Sequence, residues 1–344
     1  MTAATPIPTL TSAGDAAEVL AAGGLLGLPT ETVYGLAADA HNLAAVRRVF
    51  QAKGRPIDHP LIVHLGGAED LDEWARDVPA PLRELVTANW PGPLTIVMPK
   101  QEWVPPEITG GLDTVAIRVP GQDVAREVIT RLGRLTGTSG ALVAPSANLF
   151  GQVSPTTAEH VRVGLAGRLL PGDAVLDAGP ARVGLESTIV AWIDGRLRVL
   201  RPGAVTIDGA TSSQPGAPPP GVRAPGMLAA HYAPSARVIV VDDAGLGDLA
   251  SRIGQPAPLA GRSVALLAPA GIATPAGWRR LGSPVDDAAY AEMLYASMRA
   301  ADDAGAAAFV AVLPQSGPLR AAIADRLSRA AAGSAGSPDP GRQR

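Results

Sequence analysis

A run rich in proline, glycine and serine divides the sequence and limits what it can fold into. The run is SSQPGAPPPGVRAPG, residues 212–226, and this composition predicts an extended linker that does not join a hydrophobic core. We place the whole linker at 204–234, between a domain at 1–203 and a second domain at 235–332, with a disordered tail at 333–344. The length of 344 residues is sufficient for two domains.

The first domain alternates strand patterns with helix patterns. Short apolar runs predict strands at 23–29, 61–65, 94–98, 114–119, 141–145, 174–178 and 187–193, and a last strand that leads to Arg201. Helical periodicity predicts helices at 68–77, 80–90, 122–132 and 157–166, and one more between the cap Asn42 and the stop signal Gly54. This alternation predicts an α/β domain, and open α/β sheets bind ligands at the carboxyl ends of their strands.

The second domain has the pattern of a smaller, Rossmann-like α/β domain. Strands are predicted at 237–242, 263–268 and 307–313, and helices at 244–254, 286–303 and 318–332. Strands that alternate with helices in this way imply a parallel sheet. The sequence nevertheless contains no G-x-G-x-x-G after a strand and no P-loop, so neither ordinary nucleotide-binding fingerprint is present.

Composition and charge exclude several classes of function. The absence of cysteine removes disulfides, thiolate metal sites and a cysteine nucleophile. No apolar run reaches the roughly 18 residues that span a bilayer, and no signal-peptide pattern opens the chain, so we expect a soluble cytoplasmic protein. A net charge of −3 and 3% aromatic residues weigh against a dedicated nucleic-acid binder. The spacing of His59 and His64 fits no zinc pattern, and no metal site of the protein itself is predicted.

Residues 28–64 concentrate unlike functional groups in one short stretch. These groups are the hydroxyls of Thr30 and Thr32, the carboxylate of Glu31, the cations Lys53 and Arg55, and the imidazoles of His59 and His64. Only two of the 29 basic residues are lysines, Lys53 and Lys100, so Lys53 indicates a place for a compact ammonium, for example at a phosphate oxygen. The structural alternatives are cations that complement a helix C-terminus, for Lys53 and Arg55, and a hydrogen-bonded core histidine, for His64.

Two later places also carry candidate ligand-binding groups. Thr114 and Arg118 share one face of a strand, about 13 Å apart at ~3.3 Å per residue, which suits two parts of an extended ligand or an exposed sheet face. Ser146 and Asn148 follow a buried strand, and Ser154 comes soon after. Small hydroxyl and amide residues in that position suit phosphate or carboxylate oxygens, or an ordinary turn.

Taken together, these segments resemble the L-threonylcarbamoyladenylate synthase family, which has a YrdC-like fold, in its longer, two-domain form. The matching blocks are PTETVYGL (29–36), KGRP-x-x-HPLIVH (53–64), WPGPLT (90–95), DTVAIRVP (113–120), APSAN (144–148), SPTT (154–157), G-x-ESTIV (184–190) and LRPG (200–203). PGM at 225–227 and HYAP at 231–234 resemble the segment that leads into the family's second domain. The resemblance implies a twisted mixed sheet with helices, followed by the smaller parallel domain.

The resemblance also implies an activity and a set of site residues. The family forms threonylcarbamoyl-AMP and pyrophosphate from L-threonine, bicarbonate or CO2, and ATP, and a partner complex then transfers the threonylcarbamoyl group to an adenosine in tRNA. Threonine would be held by Thr32, His64, Arg118, Ala144 and Ser187. The nucleotide would be held by Arg55, His59, Thr114, Ser146, Ser154 and Arg201, with Lys53 and Asn148 in the same pocket and the linker residues His231 and Tyr232 closing over it. Lys53, Arg55, Ser146 and Asn148 are the expected catalytic set, Mg2+ would enter with ATP, and no general base is assigned.

Two departures from the family pattern and two rival functions stay open at this stage. His59 stands where the family often has asparagine, and residues 228–230 are Leu-Ala-Ala where many members have basic residues. The rivals are an RNA-binding module and a carbamoyl-transfer domain of the same fold. The net charge argues against the first and the threonine-site residues against the second. The sequence does not decide whether the chain contacts tRNA directly.

Overall fold

The computed structural model describes residues 7–207, 210–212, 223–226, 228–253 and 263–335. The chain forms two compact units. The first comprises Met1–Phe150 and Ser154–Met227, and the second comprises Gly151–Val153 and Leu228–Arg344. Among the described residues, no helix is both long enough and apolar enough to cross a membrane.

The first unit contains short strands and helices in alternation. Its strands are β1 (Thr9–Leu10), β2 (Leu26–Leu28), β3 (Gly35–Asp39), β4 (Ile62–Leu65), β5 (Leu94–Pro99), β6 (Thr114–Arg118), β7 (Ala141–Val143), β8 (Ala174–Leu176), β9 (Thr188–Ile193), β10 (Arg196–Arg201) and β11 (Thr211–Ser212). Its helices are α1 (Ala13–Ala21), α2 (Leu43–Lys53), α3 (Leu71–Trp74), α4 (Ala80–Asn89), α5 (Pro106–Thr109), α6 (Asp123–Thr136) and α7 (Ala158–Gly164), with a short 3₁₀ turn at Ala68–Asp70.

The strands of the first unit form one mixed sheet in the order β1-β8-β2-β3-β7-β4-β6-β5-β9-β10-β11. β4 and β6 run parallel, as do β5 and β9, whereas β7 pairs antiparallel with β4 and β5 pairs antiparallel with β6. The prediction of a mixed sheet with helices is therefore confirmed. Strands far apart in sequence become neighbours in this order, so residues from distant segments meet in the middle of the sheet.

The local signals read from the sequence explain the best-predicted elements. Helix α2 starts where the Asn42 side chain accepts a hydrogen bond from the Ala45 amide at 3.1 Å, and it ends at Gly54, whose φ of 61° is left-handed. In β6, the alternate residues Val115 and Ile117 lie in the main core cluster. Ala116, on the opposite side, lies in a smaller cluster with other residues of the sheet. Both faces of β6 are therefore buried, and the face that carries Arg118 is not an exposed sheet face.

The second unit is a four-stranded parallel sheet with helices. Its elements are β12 (Arg237–Val241), α8 (Asp243–Ile253), β13 (Val264–Leu267), β14 (Arg279–Gly282), α9 (Asp287–Asp303), β15 (Ala308–Val312) and α10 (Arg320–Ser334). The strand order is β12-β15-β13-β14, and every pair is parallel. The predicted small parallel α/β domain is confirmed.

The structure corrects several predicted elements. β3 and β14 were missed because short segments with few large apolar residues become strands only through pairing, as β3 does with β2 and β7. α1 was also missed, although Ser12 caps it by accepting hydrogen bonds from the amides of Gly14 and Asp15. The helix predicted at 68–77 ends at Trp74, because Ala75 forms a β-bridge with Lys100.

The linker and the tail also differ from the prediction. Thr211 and Ser212 form β11 at the edge of the sheet, and Ala224 is buried in the small cluster with Ile62 and Ala116. Parts of the predicted linker therefore do join a core, since even a proline-rich segment can bury a small side chain against a sheet. Helix α10 continues to Ser334, so the tail does not begin at 333. Residues 213–222 and 336–344 lie outside the described residues.

Candidate active site

His64 and Arg118 are register partners on the neighbouring parallel strands β4 and β6. Both are buried, with 3% of each residue exposed. The Arg118 guanidinium donates to the Thr32 hydroxyl at 2.9 Å through Nη1 and to the Gly92 carbonyl at 3.2 Å through Nε. Three residues predicted to bind threonine, Thr32, His64 and Arg118, are thus brought together although 86 residues separate the first from the last.

Glu31 is part of this cluster, although no role was predicted for it from the sequence. Its Oε1 accepts a hydrogen bond from Arg118 Nη2 at 2.5 Å. Burial is the largest influence on the Glu31 pKa and raises it, but the charge of Arg118, together with hydrogen bonds from Gly121 and Arg118, leaves the pKa below its usual value. Glu31 is therefore ionised and holds the guanidinium in place. The signal that could have revealed it was a lone carboxylate among the functional groups of residues 28–64.

His64 is held in its neutral form. Burial and, secondarily, the positive charge of Arg118 lower the pKa of His64 to about 3. Its Nδ1 lies 3.1 Å from the Ile62 carbonyl, so the tautomer with a proton on Nδ1 makes this hydrogen bond and leaves Nε2 as an acceptor. The imidazole can therefore accept a hydrogen bond from an amino or hydroxyl group.

Ser187 and Arg201 form a second cluster. The guanidinium of Arg201 donates to the Ser187 carbonyl at 2.9 Å and to the Ser187 hydroxyl at 3.0 Å. The Ser187 hydroxyl also lies 2.7 Å from the hydroxyl of Thr95. Thr95 is fully buried on β5, and it belongs to a segment that the sequence analysis assigned no site residue. Since Ile96 pairs with Ile117 in the antiparallel β5–β6 ladder, Thr95 lies next to Arg118 and joins the two clusters.

Three more of the predicted residues lie on segments that pair with or follow these strands. The Ser154 hydroxyl donates to Glu186 Oε1 at 2.6 Å, directly beside Ser187 in sequence. The Ala144 amide donates to the Ile62 carbonyl at 3.3 Å, which places it at the end of β7. The Thr114 hydroxyl is buried and makes no hydrogen bond to the described residues, so it is available to a ligand.

Lys53 holds the loop after β7 through hydrogen bonds to its main-chain carbonyls. Its ammonium donates to the carbonyl of Ser146 and, at 2.5 Å, to the carbonyl of Asn148, and only 2% of the residue is exposed. Burial, and then the charge of Arg55, lower the Lys53 pKa well below its usual value. The Asn148 side chain donates to the Leu149 carbonyl at 2.7 Å. Lys53, Ser146 and Asn148 are therefore together, with the lysine placed to hold the loop in shape.

Arg55 and His59 form a third group on the loop after α2. Arg55 donates to the carbonyls of His59 at 3.3 Å and Pro60 at 2.8 Å, and its guanidinium carbon lies 5.7 Å from the centre of the Phe150 ring. The His59 ring packs edge-on against Phe150 at 5.1 Å. Burial, followed by the charge of Arg55, lowers the pKa of His59. The imidazole at position 59 is therefore mostly neutral near pH 7 and can serve as a hydrogen-bonding group.

Part of the predicted linker lies on the site face of the sheet. The carbonyl of Pro225 accepts a hydrogen bond from Arg201 Nη1 at 3.0 Å, and Ala224 packs in the cluster that contains Ile62 and Ala116. Ile62 is two residues from His64 and Ala116 is two residues from Arg118, so these side chains share one face. Residues 224 and 225 therefore cover the face on which the candidate site lies.

His231 and Tyr232 belong to the second unit. Both are buried, and their ring centres are 4.1 Å apart. Tyr232 has a left-handed φ of 62°, and the guanidinium carbon of Arg326 lies 5.4 Å from its ring centre. The His231 amide donates to the Arg329 carbonyl at 3.3 Å. Helix α10 thus holds this pair in shape, and its closure over a nucleotide stays a prediction.

The described residues contain no group of three or more His, Asp or Glu side chains arranged to bind a metal ion. The chain as described therefore gives no set of residues that fits Mg2+, and we assign no step to this ion. Its entry with ATP stays a prediction from the family resemblance.

Comparison with known proteins gives matches to both units. The Sua5/YciO/YrdC family model, described as "Telomere recombination", matches residues 18–203. A model described as "Threonylcarbamoyl-AMP synthase, C-terminal domain" matches residues 196–332. Together the two models extend from the end of α1 to α10.

Individual relatives carry the name of one enzyme. The threonylcarbamoyl-AMP synthase of Pyrococcus abyssi is 42% identical over 236 residues, which cover 66% of this chain and 67% of the relative. That of Bacillus subtilis is 38% identical over 240 residues, 66% of each protein. Among solved structures, P. abyssi Sua5 complexed with L-threonine has a TM-score of 0.84 at 34% identity, covering 96% of this chain and 98% of that one.

Proposed function

The chain belongs to the Sua5/YciO/YrdC family and carries the C-terminal domain of threonylcarbamoyl-AMP synthases, and we propose how its site forms threonylcarbamoyl-AMP. The enzyme is a nucleotidyltransferase that acts on L-threonine, bicarbonate or CO2, and ATP. The observation that carries the proposal is the buried cluster of Arg118, Thr32 and His64, because these groups match the carboxylate, amine and hydroxyl of a small amino acid.

In the proposed threonine subsite, Arg118 binds the substrate carboxylate. Three of its five N–H groups already donate to Thr32, Glu31 and Gly92, so two remain for a substrate. The neutral His64 and the Ser187 hydroxyl supply hydrogen-bonding groups for the amine and side-chain hydroxyl, and Ala144 bounds the pocket at the end of β7.

In the proposed nucleotide subsite, positive charge and small hydroxyl groups face the triphosphate. Arg201 contacts the threonine-subsite residue Ser187, and the loop held by Lys53 follows the end of β7. Arg55 lies beside His59 and Phe150. His59, Thr114, Ser146, Ser154 and Asn148 contribute hydrogen-bonding groups to the nucleotide, and a role of His231 and Tyr232 in closing the site stays a prediction from the family resemblance. These roles are proposed from the family resemblance and the positions described above.

The proposed chemistry depends on positioning more than on a protein nucleophile. The threonine amine captures CO2 to form a carbamate, and a carbamate oxygen then attacks the α-phosphorus, which releases pyrophosphate. Holding the reactants in line supplies a large part of the rate enhancement in such reactions. Arg55 and Arg201 offset the negative charge that develops on the departing pyrophosphate. The neutral His64 can hold the amine with its lone pair free to react.

The product would be consumed by a separate complex that transfers the threonylcarbamoyl group to tRNA. The net charge of −3 gives no overall attraction to a polyanion, and no residue of this chain is assigned to tRNA. A cytoplasmic location stays a prediction.

The test is pyrophosphate release from the purified chain with ATP, bicarbonate and one amino acid at a time. We expect release with L-threonine, far less with serine or valine, and none when bicarbonate is removed. Serine lacks the methyl group of threonine and valine lacks its hydroxyl. The two amino acids therefore test the contact with the methyl group and the contact with the hydroxyl separately. Equal release with all three amino acids, or release without any, would refute the proposal.

A further inference from the structure

A cavity of about 370 Å³ lies within the second unit, at the carboxyl ends of its parallel strands. Its wall includes Asp243, just after β12, Pro269, just after β13, Pro284, just after β14, and Pro314, just after β15. Parallel α/β sheets bind their ligands at this edge. The volume falls in the range of small-molecule sites, which is about 300 to 1,000 Å³.

The wall of the cavity carries carboxylates and no basic side chain. Asp243, Asp286 and Asp287 line it, and none of the described lining residues is Lys, Arg or His. Two nearby arginines donate to main-chain carbonyls of the wall: Arg280 to Pro269 at 2.9 Å and Arg320 to Pro314 at 3.1 Å. These arginines hold the loops that form the cavity, so its shape exists before a ligand arrives.

The carboxylates also occupy the backbone donors that would otherwise attract an anion. Helix N-termini bind phosphate through their free amides. Here Asp286 accepts from the Ala289 amide at 2.7 Å, in the first turn of α9, and Asp287 accepts from the Leu319 amide at 2.6 Å, immediately before α10. Phosphates and nucleotides are therefore disfavoured in this cavity, in contrast to most sites at this edge of an α/β sheet.

Tyr290 is a second feature, separate from the aspartates, that indicates a ligand in this cavity. It lines the cavity and is fully buried, yet its hydroxyl makes no hydrogen bond to the described residues. A buried hydroxyl without a partner costs free energy, and such groups call for an unseen partner. A ligand N–H group would satisfy it.

The carboxylates do not form a metal site, because the described residues contain no group of three or more acidic or histidine side chains arranged around one ion. Apolar residues such as Ile272 and Pro314 make up much of the remaining wall. We propose that this cavity binds a small organic cation, an amine or guanidine with a short hydrocarbon chain, whose charge is balanced by the aspartates and whose N–H donates to the Tyr290 hydroxyl.

The test uses the full chain and agmatine, which has an ammonium and a guanidinium group on a four-carbon chain. Agmatine is titrated at millimolar concentrations, and binding is followed by the amide chemical shifts of Gly271 and Leu313, both in the cavity wall. We expect saturable shifts. Asp243→Asn and Tyr290→Phe should each weaken binding about tenfold, as expected for a lost hydrogen bond to a charged group.

The matched control is Asp248→Asn, an exposed aspartate on α8 that does not line the cavity, and it should leave binding unchanged. Tyr290→Phe removes only an unpaired hydroxyl, so the variant should fold at least as stably as the parent. Three results would overturn the proposal: no shift at these amides, equal affinity in all variants, or stronger shifts with succinate than with agmatine. Pyrophosphate release is measured separately, so failure here leaves the proposed activity untouched.

Discussion

The guanidinium of Arg201 grips Ser187 at two points, its carbonyl at 2.9 Å and its hydroxyl at 3.0 Å, and so joins the proposed nucleotide subsite to the proposed threonine subsite. The two residues lie 14 positions apart, at the end of β10 and immediately before β9. A substitution of Arg201 should therefore change the affinity for both ATP and threonine.

Arg201→Lys should raise the KM for ATP and the KM for threonine together, each by about tenfold, because a lysine cannot make the paired hydrogen bonds of the guanidinium. Steady-state pyrophosphate release with one substrate varied at a time gives both constants. Arg196→Lys, at the exposed start of β10, is the control and should change neither. A rise in the KM for ATP alone would show that Ser187 does not depend on Arg201.

Arg118→Gln should destabilise the protein by about 2 to 3 kcal/mol, because it leaves the carboxylate of Glu31, only 12% exposed, without its partner. The double variant with Glu31→Gln should recover most of that loss, since no uncompensated charge remains. It should not recover threonine affinity, because the group that binds the carboxylate is still missing. Urea unfolding and the KM for threonine measure the two effects, and recovery of both together would contradict the assigned role of Arg118.

Lys53→Met should lower both stability and ATP affinity, because it removes the lysine donor from the carbonyls of Ser146 and Asn148; the Ser146 carbonyl keeps only its hydrogen bond from the Asn148 amide at 3.0 Å. Losing these hydrogen bonds to a buried charged group should cost about 1.5 to 3 kcal/mol. Lys100→Met is the matched control, as Lys100 donates to a single carbonyl, that of Val104, at a half-buried position. We expect a loss of about 1 kcal/mol there and normal ATP binding. Equal losses in the two variants would show that Lys53 has no special place in the site.

Stability should fall in acid through His64. Its folded-state pKa, about 3, lies below the ordinary value of 6.5, so the unfolded chain binds a proton that the native chain rejects between these two values. The contribution of the neutral His64 to the free energy of unfolding is fully present above pH 6.5 and is lost as the pH falls toward 3. Between pH 7 and pH 5 the parent should lose roughly 2 kcal/mol more than His64→Asn. Parallel losses in the two proteins, measured by denaturant unfolding, would refute the assignment.

Gly203→Ala should disrupt the segment at 186–188 and abolish activity. A Cβ at this position would lie 2.3 Å from the amide nitrogen of Thr188 and 2.7 Å from the carbonyl oxygen of Glu186, both backbone atoms that cannot yield easily. The control is Gly247→Ala in helix α8, where nothing lies within 4 Å of the added carbon. That variant should gain about 0.5 to 1 kcal/mol. Normal turnover in Gly203→Ala would show that the segment tolerates displacement.

Elements that depend on local signals could be predicted from the amino-acid sequence. Asn42 and Gly54 bound α2 as expected because a cap and a left-handed glycine act within a few residues of the helix end. The alternation in β6 is likewise a local property, and it correctly assigned Val115 and Ile117 to one face of the strand and Ala116 to the other. Matching sequence blocks then named the candidate residues on these elements, including Thr32, His64 and Arg118.

Which of these residues are in contact depends on the three-dimensional fold. Glu31 binds Arg118. Thr95 contacts Ser187, although the two lie 92 positions apart in the sequence. Both contacts follow from the order and register of the strands in the sheet. Neither register nor strand order is a local property, so no periodicity in the sequence gave them. The same holds for Lys53. Its rarity marked it as unusual, but only the fold showed that its ammonium holds the backbone of the loop at Ser146 and Asn148, because burial and long-range contacts determine what a side chain reaches.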